Sequence, residues 1–161
     1  MLTARRADGF ELSDDPDRLD VKLVHHWLST DTYWAAGRSL DVVRAAIAGS
    51  TAVGVYAATG RQVAFARVVT DGAVFAYLCD VYVDRDCRGT GLGRWMVRHL
   101  RDDLAARGLK RFLLTTRDAH GVYGPLGFAP ADPARWMECD LAEVVVSSAT
   151  GKDRTAGWPL P

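Results

Sequence analysis

The sequence has no net charge, few cysteines and no long apolar run, and each shortage removes a class of function. Its 161 residues carry twenty basic and twenty acidic side chains, which cancel. Nucleic acid and anionic membrane surfaces select an excess of positive charge, so neither is expected as the main partner. No apolar stretch approaches the ~20 residues that span a bilayer. The opening Met1-Leu2-Thr3-Ala4-Arg5-Arg6 runs into polar sequence, not into the apolar core of a signal peptide. The three cysteines, Cys79, Cys87 and Cys139, are odd in number and lack metal-ligand spacing. That pattern points to reduced thiols, no metal and a cytoplasmic protein. What is present is 48% hydrophobic and 25% charged, at a length that suits one domain with a real core.

The most informative stretch is Val81-Tyr82-Val83-Asp84-Arg85-Asp86-Cys87-Arg88-Gly89-Thr90-Gly91-Leu92-Gly93-Arg94. An apolar strand enters a turn of closely spaced glycines, and an amphipathic helix follows at once. Such a junction aims backbone N–H groups at one spot, where the helix N-terminus adds partial positive charge. Glycine permits close approach of a ligand. The stretch therefore suits an anion, above all a phosphate, with Arg85, Arg88 and Arg94 nearby. It is not a P-loop, because Arg94 and Trp95, not Lys and Ser or Thr, follow Gly93. It is not the dinucleotide fingerprint either, because the third glycine would fall at Arg94.

What remains is Arg-x-x-Gly-x-Gly, at Arg88, Gly91 and Gly93. It resembles the pyrophosphate-binding motif of the GNAT superfamily of acyl-CoA-dependent N-acetyltransferases. Further on, Ala119-His120-Gly121-Val122-Tyr123-Gly124-Pro125-Leu126-Gly127-Phe128 is similar to that family's second signature, Ala-x-x-x-Tyr followed by Gly-Phe. Two signatures in the right order are more specific than either alone.

The rest of the chain reads as a mixed α/β arrangement. A short first strand precedes an acidic loop, Phe10 to Asp20. Leu19, Leu23, His26 and Trp27 recur at helical spacing. Ser39 caps a second helix that Gly49 closes. Thr51 to Ala58 and Gln62 to Thr70 form a hairpin around Thr59-Gly60-Arg61, and Val74 to Val83 is a long strand. The helix Leu92 to Ala106 ends at Gly108. A fifth strand, Arg111 to Thr116, a short helix, Ala119 to Leu126, and two short strands at Phe128 and Arg135 to Asp140 complete the pattern. The resemblance implies a GNAT-like α+β fold over residues 1–140: a central mixed sheet of six to seven strands flanked by four helices. Residues 141–161 read as a weakly ordered tail, with Val144-Val145-Val146 as an alternative edge strand and Trp158 as a docking residue.

The same resemblance implies roles for individual residues. The main chain of Val81, Tyr82 and Val83 would hold the pantetheine arm of acetyl-CoA, and an N–H there would polarise the thioester carbonyl. The N–H groups of Arg88, Gly89, Thr90, Gly91, Leu92, Gly93 and Arg94 would take the pyrophosphate. Thr116 stands where the family often has a cofactor-contacting Asn. Tyr123 would protonate the departing thiolate. A phenol has an ordinary pKa of about 10 against about 8.5 for a thiol, so it is protonated at neutral pH. A packed aromatic is the structural alternative.

The base that takes the amine proton is less legible. Asp80 is the leading candidate, with a buried, arginine-bonded carboxylate as the alternative. Strand alternation groups Asp80 with Leu78 and Tyr82, and a β-bulge would reverse that parity. His120, one helical turn before Tyr123, has a suitable ordinary pKa or is simply exposed. Tyr33, Trp34 and Arg67, with Trp27, Arg38, Phe65 and Tyr77 nearby, are expected around the acceptor amine, or else serve the core and structural ion pairs. The expected activity is acetyl transfer from acetyl-CoA to a primary amine, in a small molecule or a peptide, by direct attack in a ternary complex. The alternative is a catalytically silent acyl-CoA sensor or interaction module of the same fold. A homodimer is left open.

Overall fold

Val, Thr and aromatic residues dominate Thr51 to Val83, and there the backbone is a run of long strands. The structure, a computed structural model, describes residues 1–139 and 141. Among the described residues, six strands form one sheet in sequence order: β1 (Thr3–Arg5), β2 (Glu11–Ser13), β3 (Thr51–Tyr56), β4 (Gln62–Thr70), β5 (Phe75–Val83) and β6 (Arg111–Leu113). Neighbours from β1 to β5 are antiparallel, and β6 joins β5 in parallel. The helices are α1 (Val21–Asp31), α2 (Leu40–Ala48), α3 (Leu92–Ala106) and α4 (His120–Tyr123). The chain divides into two compact units, Met1–Phe128 and Ala129–Pro161, and every element named here belongs to the first. No helix among the described residues is long and apolar enough to cross a membrane.

Each face of the sheet is covered because its strands alternate. On β4, Phe65 points one way and Ala64 and Ala66 the other. Phe65 and Tyr82 pack with Val24, Trp27 and Leu28 of α1 and Val43 of α2. The opposite face receives α3, whose buried Leu92, Met96, Val97, Leu100 and Leu104 form a helical stripe. Each of these side chains contributes about 1.5–3 kcal/mol by leaving water. Asp20 and Ser39 cap α1 and α2 by accepting from the N–H groups of Leu23 (2.9 Å) and Val42 (3.3 Å). The long crossover through α3 is what makes the β5–β6 pairing parallel.

Three expectations change. Glu11–Ser13, inside the expected acidic loop, is a strand paired with Gly54–Tyr56, and its Leu12 is fully buried. The fifth expected strand stops at Leu113, not Thr116. Neither Phe128 nor residues 135–139 form a strand. Phe128 instead closes the turn after α4: its N–H donates to the Tyr123 carbonyl at 3.3 Å, and its ring meets Phe112 and Tyr123. Pro130 and Pro133 lack the N–H that a ladder needs, and Asp132 turns the chain by accepting from Ala134 N–H at 3.0 Å. Asp140, Val144–Val146 and Trp158 lie outside the described residues.

The feature that positions the site is a bulge in β5. Phe65 faces Tyr82 and Arg67 faces Cys79, so the single Ala66 of β4 opposes both Asp80 and Val81. Asp80 takes φ 50°, the one positive φ outside glycine among the described residues. The side-chain parity flips there. Ala76 and Leu78 belong to the α3 face before the bulge, Val81 and Val83 pack on the same face after it, and Tyr82 turns to α1.

Candidate active site

The end of β5, the glycine turn and α4 enclose one cavity of about 450 Å³. Val81 and Val83 contribute from β5. Cys87, Arg88, Gly89 and Gly91 come from the turn, and Leu92, Gly93 and Arg94 from the first turn of α3. Ala119, Val122 and Tyr123 close the opposite side. The two motifs, some thirty residues apart in the chain, therefore face each other across one space. Arg94 fastens them together by donating from Nη2 to the Gly121 carbonyl at 3.0 Å.

The turn presents unused donors. Among the described residues, none of the N–H groups from Gly89 through Arg94 donates a hydrogen bond. On either side, Arg88 N–H donates to Arg85 O (3.3 Å) and Trp95 N–H to Gly91 O (3.0 Å). Six consecutive free donors at a helix N-terminus are chemically suited to an anion. Two glycines permit it. Gly91 adopts φ 76° as the N-cap, and at Gly93 a Cβ would lie 3.3 Å from Val83 Cγ2.

A second open surface adjoins the first. β6 pairs only with Phe75–Tyr77 of β5, so beyond Tyr77 no described strand covers that edge of β5. Leu78 to Val83 run past the end of β6, and Val81 and Val83 border the cavity. The bulge and the early end of β6 together leave this edge of β5 without a described strand partner beside the glycine turn, where an extended chain could pair, although Val83 O already accepts from Arg88 Nε.

Tyr123 is half-buried on α4, with its ring 5.8 Å from that of Phe128. Burial pushes its phenol up to about 12, and Tyr33 and Asp118 push in the same direction. The group is thus a proton donor across the physiological range.

Arg88 lines the cavity and is also held. Its Nε donates to Val83 O at 2.9 Å and its Nη2 to Asp31 Oδ2 at 2.9 Å. Asp31, the last residue of α1, also accepts from Tyr82 Oη (2.8 Å) and Arg85 Nε (3.0 Å), and Arg85 Nη2 pairs with its Oδ1. These donors, Arg85 first, hold the Asp31 carboxyl well below its ordinary value. Tyr82 turns its side chain away from the cavity and stacks on Trp27 at 4.9 Å. Its phenol is pushed up to about 12 by burial and by its bond to Asp31.

Other expected site residues fall outside the cavity. Thr90 turns away and bonds the Cys87 carbonyl through Oγ1 at 2.8 Å. Thr116 lies in the loop before α4, where its Oγ1 accepts from Ala119 N–H at 3.0 Å. His120 starts α4 and is exposed. Asp80 is buried and accepts on Oδ2 from Arg67 Nε (2.6 Å) and Arg38 Nη1 (2.9 Å). Tyr33 and Trp34 are exposed and meet edge to face at 5.0 Å. The Arg117 guanidinium lies 3.9 Å from the Tyr33 ring centroid. Cys87, Ala119 and Val122 line the cavity without having been assigned a role. Their signal was present, since each lies inside one of the two motif stretches.

The acetyltransferase (GNAT) family matches residues 21–128, which takes in both motifs and the whole cavity. This chain belongs to the GNAT family. A solved structure of a candidate GNAT acetyltransferase from Xanthomonas campestris pv. campestris is 40% identical, with a TM-score of 0.77, over 85% of this chain and 95% of that one. A candidate acetyltransferase of Gibberella zeae is 33% identical over 70% of this chain and 75% of its own length. The chloroplastic serotonin N-acetyltransferase 2 of Oryza sativa subsp. japonica is 42% identical over 44% of this chain and 36% of its own. The chain is thus an acyltransferase of GNAT type, and the cavity holds the family's two signatures.

Proposed function

We propose that this GNAT enzyme transfers an acetyl group from acetyl-CoA to a primary amine by direct attack in a ternary complex. The observation that carries the reading is the run of six free N–H donors, five of whose residues line one cavity with Tyr123. When bound, acetyl-CoA supplies the activated thioester. The N–H groups of Gly89, Thr90, Gly91, Leu92, Gly93 and Arg94, with Arg88 and Arg94 beside them, would hold its pyrophosphate. The open edge at Val81, Tyr82 and Val83 would pair with its pantetheine arm, and an N–H of that edge would polarise the carbonyl.

Tyr123 would donate a proton to the departing sulfur, for which a phenol near 12 is correctly protonated. Asp80 is the proposed acceptor of the amine proton, directly or through water. Arg67 Nε and Arg38 Nη1 both donate to its Oδ2 and hold the carboxylate in place. Tyr33, Trp34, Arg67 and His120 would meet the acceptor, and Thr116, whose Oγ1 accepts from Ala119 N–H, would contact the cofactor. The rice relative's name makes a primary arylalkyl amine the first acceptor class to screen, alongside peptide amines.

The test is calorimetric titration of the protein with acetyl-CoA, with NAD and ATP as controls, then thiol release over a panel of amines. Selective micromolar acetyl-CoA binding is expected. Tyr123→Phe should keep that binding and lower turnover about 10²–10⁴-fold. Binding without turnover on any amine, by wild type and variant alike, would instead assign a silent acyl-CoA sensor. Folded protein that ignores acetyl-CoA would end the reading.

A further inference from the structure

Arg6 follows β1 and stands 84 positions before Thr90, yet its Nη2 donates to the Thr90 carbonyl at 2.6 Å. The arginine is fixed at its own end. Its N–H donates to Phe10 O (2.8 Å), its carbonyl accepts from Gly9 N–H (3.0 Å), and Asp8 pairs with its guanidinium at 3.1 Å.

The consequence lies in the next peptide. In a planar trans peptide the C=O and the following N–H point in opposite directions. A donor seated on Thr90 O therefore sends the Gly91 N–H away from Arg6. The cavity lining agrees, because Gly91 borders the cavity and Thr90 does not. The peptide needs such a clamp. Gly91 sits at φ 76°, and glycine reaches negative φ almost as readily, so this peptide can flip at little cost and withdraw its donor.

We infer that Arg6 is a positioning residue for the anion-binding turn, holding the Thr90–Gly91 peptide in the orientation that faces pyrophosphate. The inference rests on the proposed acetyl-CoA reading of that turn. Nothing in the spacing of Arg6 relative to either motif announces it.

The test is calorimetry on the full chain with two ligands, acetyl-CoA and S-acetyl-pantetheine, which has the thioester arm but no pyrophosphate. Arg6→Ala should weaken acetyl-CoA about tenfold and leave S-acetyl-pantetheine unchanged. Arg6→Lys, which can still donate to Thr90 O, should recover most of the loss. The Arg6→Ala loss should persist in 1 M salt, where the screening length is about 3 Å. If Arg6→Ala does not fold, Arg6→Met, which keeps the stem and removes the donor, is titrated in its place. Equal weakening of both ligands would make Arg6 a general structural residue and overturn the proposal. So would wild-type affinity in Arg6→Ala, or a loss that salt abolishes, which would assign a long-range charge effect. Wild-type protein that binds neither ligand would overturn the acetyl-CoA reading and this inference together, whereas wild-type binding with an unaffected Arg6→Ala overturns this inference alone.

Discussion

Gly91 has open space where a Cβ would go, with no heavy atom within 4 Å, but its φ of 76° restricts what can replace it. Asp and Asn are among the few side chains that tolerate this region. Gly91→Asp should therefore fold while placing a negative charge among the six donors. It should weaken acetyl-CoA by at least about tenfold, or about 1.4 kcal/mol, read by calorimetric titration. Gly91→Asn, of the same shape without the charge, should lose less, and equal undiminished binding by both variants would remove phosphate from this turn. At this scale the sequence was legible where the residues that line the cavity are contiguous in a motif, as in most of Arg88 to Arg94, or sit in a second one, as Tyr123 does. It was illegible where a role depends on a distant partner. Asp80 is bonded by arginines 42 and 13 positions away, and Asp31 by one 54 positions away, pairings that no local spacing announces.

Elements were legible in proportion to their length. The strands around Thr51 to Val83 and the helix Leu92–Ala106 offer enough residues for a period to show, and their bounds agree closely with expectation. β2 has three residues inside an acidic stretch, so only its pairing with β3 marks it as a strand. The bulge at Asp80 leaves no compositional trace, although it decides that Val81 and Val83 border the cavity. β3 itself ends in a conflict. The Tyr56 hydroxyl is buried and has no hydrogen-bond partner among the described residues, while burial also raises its pKa. An unpaired buried hydroxyl costs desolvation without return. Tyr56→Phe should leave stability unchanged or raise it by up to about 1 kcal/mol, measured from the urea midpoint. The Arg18 guanidinium, 4.1 Å from the ring centroid, has the same face to rest on. A loss above about 1 kcal/mol would show that the hydroxyl does have a partner.

At the scale of the whole unit, Asp31 joins parts that hydrophobic packing leaves separate. It ends α1, which packs on the Phe65 and Tyr82 side of the sheet, and it accepts from Tyr82 of β5 and from Arg85 and Arg88 of the turn that leads into α3 on the other side. The link depends on ionisation. The folded carboxyl lies well below its ordinary 3.8, so between the two values the unfolded chain binds more protons and stability rises with pH. The contribution is therefore complete above about pH 5 and decays as the pH falls toward the folded value. Asp31→Asn, which keeps the shape and loses the charge, should be less stable than wild type at pH 7, with the gap in denaturation midpoint closing as the pH falls from 4 to 2. Protonation then does to the native protein what the substitution has already done to the variant. A gap that stays constant over that range would mean that Asp31 contributes through shape and neutral hydrogen bonds, and that the arginines of the turn are held in place by something other than its charge.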